Sequence, residues 1–171
     1  MRTPCLPAAL LLAVCATTTR LGAQGSPDLT TEFLQSRGQT LVEMGKLPLD
    51  RESKLGAFYA FAGRTQQAPV PEVTLHLVRS ATQWAFAYDH TVVLVLDDKS
   101  SMPLPRARRS TSVGEGYMLE QIMMPLSRAQ AAQIAQARKV EMKVGSNAFV
   151  WSDTLQRAFR QMVTSAGGSA R

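Results

Sequence analysis

Past residue 15 the sequence contains no cysteine, since Cys5 and Cys15 are the only two. A chain processed beyond that point can build no disulfide framework, and thiol catalysis, cysteine zinc sites and iron–sulfur ligation go with it. Histidine is nearly as scarce, with only His76 and His90 as general-base candidates near neutral pH. No stretch after residue 24 is apolar for the roughly 18 or more residues that a membrane-spanning helix needs. No internal repeat recurs at a period of about 20 to 50 residues. A Gly-x-Ser-x-Gly elbow and a Gly-x-x-x-x-Gly-Lys phosphate loop are both missing, and Gly114-Glu115-Gly116 does not continue into a glycine-rich phosphate cradle. No cofactor is therefore expected.

What the sequence does contain begins at its start. Arg2 supplies positive charge, Leu6 to Ala16 is an apolar run centred on Leu10, Leu11 and Leu12, and small residues follow. These are the three parts of a secretory signal peptide. About eleven apolar residues are too few to cross a bilayer, so the segment is an address and not an anchor. Gly22 and Ala23 before Gln24 suit the cut, with Ala16 before Thr17 as the second choice. The expected product is periplasmic or extracellular. The alternative is lipid attachment at Cys15, which Leu12, Ala13 and Val14 disfavour because lipoprotein signals carry Gly, Ala or Ser immediately before the cysteine.

The formal charge of +6 falls on processing, because Arg2 and Arg20 leave with the signal and no acid does. Residues 24–171 stay mildly basic and are enough for one domain, since about 150 residues bury about two thirds of their surface. That balance suits an anionic envelope polymer or another envelope protein as partner, and is also an ordinary route to solubility.

The pattern divides the chain into a signal at 1–23, a helical or irregular segment at 24–54, a single α+β domain at 55–166 and a disordered tail at 167–171. Ser26 and Pro27 look like a helix start, with Leu29, Phe33 and Leu34 as its apolar stripe and Gly38 as its end; Thr40 to Met44 is then a second turn or a strand. From Leu55 onward, short apolar segments separated by turn residues predict an antiparallel sheet of about six to seven strands. The expected strands are Leu55 to Ala62, Val73 to Arg79, Trp84 to Tyr88, Thr91 to Leu96, the short edge Met102 to Leu104, Tyr117 to Leu126, Val140 to Val144 and Ala148 to Trp151. Ser127 with Gln130 three residues on forms a capping box for a helix from Arg128 to Arg138, and Ser152 caps a last helix from Asp153 to about Thr164. The fold class is α+β, with two C-terminal helices packed on the sheet; the alternative is a β-sandwich with helical decorations.

Few side chains stand out chemically. His76 reads as a surface or rim residue of its strand, and His90 follows Asp89 in a turn. Asp89 and His90 precede the strand that Asp97 and Asp98 follow, so its length, about 20 Å, keeps them from meeting at one metal ion. No metal site is expected. Arg106, Arg108 and Arg109 make the best basic patch, in a segment from Arg106 to Gly116 read as an exposed loop. Arginine forks bind phosphate and carboxylate, yet without interleaved aromatics these three give no nucleic-acid signature. In the row Trp84, Phe86 and Tyr88, the first two are assigned to the core and Tyr88 to a binding surface. The functional expectation is a non-enzymatic exported domain that binds or scaffolds in the envelope of a bacterial-type cell, with Arg106, Arg108, Arg109 and Tyr88 as its contact residues. The alternatives are an envelope hydrolase, or an accessory or inhibitor protein acting through residues 106–116.

Overall fold

The computed structural model describes residues 29–167. The signal segment, its cleavage positions, Cys5, Cys15, the Ser26–Pro27 helix start and residues 168–171 of the tail lie outside the described residues. Within them the chain forms two antiparallel sheets and two α-helices, an α+β domain.

The first sheet contains β1 (Leu29–Leu34), β2 (Gln39–Pro48), β3 (Ser53–Ala62) and β4 (Glu72–Ala81) in succession. Period-two alternation directs Val73, Leu75 and Leu77 of β4 and Leu55, Ala57 and Tyr59 of β3 to one buried face. The second sheet takes β5 (Val92–Leu96) and β6 (Ser100–Pro103), joined by a turn in which Asp97 and Asp98 both adopt positive φ. The chain then returns to the first sheet with β7 (Arg108–Gly114) and β8 (Tyr117–Ser127), giving the order β1-β2-β3-β4-β8-β7.

Ser127 accepts from the Gln130 amide while the Gln130 side chain accepts from the Ser127 amide, the expected capping box, and α1 runs Arg128–Gln136. β9 (Val140–Val144) and β10 (Asn147–Val150) complete the second sheet in the order β10-β9-β5-β6. Ser152 caps α2, Asp153–Ala166. α2 lies against β2 and β3, α1 against β4 and β8, and the two helices touch. One continuous core joins both sheets and both helices. The Trp151 and Phe159 rings meet edge-on at 5.5 Å, tying the end of the second sheet to α2.

Three local expectations are corrected. The segment expected to be helical or irregular before residue 55 is, in its described part, the strand pair β1–β2. Thr30 and Thr31 are β-branched, Gly38 turns the chain with φ near 59°, and pairing with β2 supplies the backbone partners that an isolated short helix could not secure. Trp84 to Tyr88 is not a strand. The Ala85 and Phe86 amides both donate to the Glu120 carboxylate, and successive amides of a strand point in opposite directions. The Arg106 to Gly116 loop is mostly β7. Glu115 and Gly116 make a two-residue turn, with Gly116 at φ 76°, and the Tyr117 ring occupies the space beside Gly114 where a Cβ would project.

Candidate functional site

β7 separates the three arginines. Adjacent strand residues face opposite ways, so Arg108 joins Met123 on the sheet's outer face whereas Arg109 joins Ile122 on the buried one.

On the buried side, Glu120 is fully inaccessible on β8 and stands directly across from Arg79 of β4. Its carboxylate lies 3.1 Å from the Arg109 guanidinium and 3.2 Å from that of Arg79, and it accepts from the Ala85 and Phe86 amides at 2.8 and 3.0 Å. Burial pushes its carboxyl up, but those amides and Arg109 outweigh it and hold Glu120 below the ordinary carboxylate range. Arg79 also pairs with Glu52 and donates to the Gln83 carbonyl, and Trp84 covers Arg109 with its ring centroid 5.5 Å from the guanidinium carbon. This cluster clamps the segment between β4 and β5, driving Phe86 into the core against Phe149 and leaving Trp84 about one third exposed. Tyr88 falls beyond the clamp and is fully exposed.

Reasoning from the sequence missed this cluster, although a signal existed. Arg79 continues the period of Val73, Leu75 and Leu77, and Glu120 that of Ile122, Met124 and Leu126, so each strand carries one charge on its buried face. Two opposite charges in such positions call for each other.

On the outer face, an open groove of about 510 Å³ lies where the β6–β7 connection crosses β4 and β8. Phe58, Met123 and Pro125 supply apolar surface, and Arg106, Arg108 and Glu72 the charges. The largely exposed Arg106 pairs with the partly buried Glu72 at 2.9 Å, while Arg108 has no ion-pair partner among the described residues. The groove therefore offers one committed and one uncommitted guanidinium beside apolar surface, a donor set for a carboxylate or phosphate attached to an apolar body.

The remaining candidates stay apart. His76 lies on the outer face, where its Nε2 bonds Gln121 Oε1 at 2.9 Å and Phe58 meets it edge-on. Partial burial pushes its pKa down, with Gln121 opposing. Asp89 accepts from the Thr91 amide before β5; beyond β5, Asp97 accepts from the Arg138 and Lys139 amides and Asp98 pairs with Lys139. The carboxylates are thus engaged at opposite ends of the strand, Asp89 by its near neighbour Thr91 and Asp97 and Asp98 by the segment entering β9. Among the described residues no group of three or more potential ligands could hold a metal, and no helix is long and apolar enough to cross a membrane.

Geometry defines the class as an α+β domain with a basic, partly apolar groove on the outer face of its larger sheet. Comparison with protein-family models, curated proteins and solved structures gives no match.

Proposed function

We propose that this is an exported, non-enzymatic binding domain of a bacterial-type cell envelope, which holds an acidic, partly apolar segment of another envelope protein in the groove beside β7. The observation that carries the reading is Arg108, a guanidinium without an ion-pair partner among the described residues, set next to Phe58, Met123 and Pro125. An acidic side chain on the partner would engage Arg108 and exchange with Glu72 for Arg106, while the apolar surface holds its neighbours. Of the contact residues expected from the sequence, this reading retains Arg106 and Arg108. Arg109 becomes a structural residue, and Tyr88 has no part in the groove.

A pull-down from envelope extract with residues 24–171 tests it. Arg106→Ser together with Arg108→Ser should abolish capture of the partner, with Tyr88→Ser leaving it intact. Capture unchanged by the double arginine substitution overturns the groove as the binding site.

A further inference from the structure

β7 is the last strand of the six-stranded sheet and pairs only with β8 among the described residues. Its hairpin fixes which backbone groups remain free. Gly114 and Tyr117 close the two-residue turn, so Gly114, Ser112, Ser110 and Arg108 exchange hydrogen bonds with β8. The amides and carbonyls of Arg109, Thr111 and Val113 consequently point outward along the open edge. Natural sheets usually blunt such an edge with proline, a bulge, a short strand or charged side chains, and of these β7 carries only the charges, Arg108 and Arg109 at one end. β6 follows that rule with four residues and Pro103, whereas β7 has seven residues, no proline and an unbroken register with β8.

We propose that the β7 edge is the site at which a second copy of this chain docks, giving a two-fold symmetric dimer with a continuous sheet across the interface. The proposal draws on the same Arg108 guanidinium as the groove reading, so a docked second copy competes with the groove's partner for it; Thr111, which does not line the groove, is the position that tells the two apart. Antiparallel pairing centred on Thr111 sets Arg109 opposite Val113 of the second copy and Arg108 opposite Gly114 of the second copy. The charge pattern of β7 matches itself in this orientation, since both arginines lie at one end and neutral Val113 and Gly114 at the other. A parallel arrangement in register would stack arginine on arginine.

Three exposed groups find complements across this dyad. Arg108 opposes Gly114 of the second copy, whose Cβ space is filled by the Tyr117 ring, a face suited to a guanidinium. Glu115, which has no ion-pair partner among the described residues, follows that Gly114 and comes beside Arg108 across the interface. Val113, 73% exposed, meets the aliphatic stem of Arg109. Main-chain bonds from three outward residues of each copy supply the pairing, as in other strand additions.

Sedimentation equilibrium on residues 24–171 over a range of concentrations tests the proposal. A monomer–dimer equilibrium is expected. Thr111→Lys puts two ammonium groups together on the dyad and should yield monomer with an unchanged circular dichroism spectrum; it touches no groove residue, so its failure is separable from failure of the proposed function. Arg108→Glu should weaken the dimer by about tenfold or more, and adding Glu115→Arg should restore it, because a cross-interface pair tolerates exchange of its charges. A monomer at every concentration overturns the proposal, as does a dimer that survives Thr111→Lys or an Arg108→Glu defect that Glu115→Arg does not rescue.

Discussion

Arg109 lies 3.1 Å from the buried carboxylate of Glu120, eleven residues further along the chain and in the neighbouring strand. Arg108, one residue earlier, lies on the opposite face of the same sheet in an open groove. One strand thus splits a run of basic residues into a structural and a surface cation.

That split predicts unequal effects for two similar substitutions. Arg109→Ser removes a charged hydrogen bond to a buried acid and should cost about 2 kcal/mol. Arg108→Ser should stay within about 0.5 kcal/mol of the parent, as for other surface changes. Urea unfolding of the two variants measures the difference, and equal losses would contradict the assignment.

Glu120 should govern the acid limb of stability. Its folded-state pKa is held below the unfolded value by the Ala85 and Phe86 amides and Arg109, against burial. The stabilisation is therefore present above the unfolded carboxylate value, about 4.3, and is lost as the pH falls through the lower folded value. Glu120→Gln should destabilise the protein at pH 7 and flatten the pH dependence below that point, measured as urea midpoints across the acid range.

The clamp also sorts the aromatics of residues 84–88. Phe86 is fully buried and Tyr88 fully exposed. Phe86→Ala should cost about 3–5 kcal/mol, while Tyr88→Ala should change stability by less than about 0.5 kcal/mol. Thermal or urea melts of the pair separate this arrangement from a regular strand, in which residues 86 and 88 would share a face.

Gly145 is the stricter of two turn glycines. It adopts φ near 55° and an added Cβ would fall 2.6 Å from the Asp89 carbonyl oxygen, whereas Gly116 adopts φ near 76° with open space around it. Gly116→Ala should carry only the left-handed strain, about 1–2 kcal/mol. Gly145→Ala adds a backbone clash to that and should lose visibly more, as read from denaturant midpoints.

Much of the fold was legible before any coordinates because its signals are local. Alternation at Val73, Leu75 and Leu77 marks a half-buried strand, Ser127 with Gln130 caps a helix, and Gly145 with Ser146 turns a hairpin, each through atoms within a few residues. Arg106 and Arg108 were likewise placed at the surface, where both are exposed, whereas Arg109, read in the same loop, is turned inward by β7. The turn at Glu115 and Gly116 between two β-competent runs was also readable as a hairpin, and overlooking it turned β7 into a loop.

Residues 84–88 mark where local signals end. Their period-two aromatics favour a strand, yet Glu120, 35 residues from Ala85, gathers two successive amides and bends the segment instead. The Glu120 partners are similarly remote, with Arg79 at a separation of 41 residues. Composition and spacing thus set which segments become strands, caps and turns, because those depend on neighbouring backbone and side-chain atoms. Which charge faces inward, what it pairs with and which strand is left at the edge follow from sheet order and register, and these arise only when distant segments pack together.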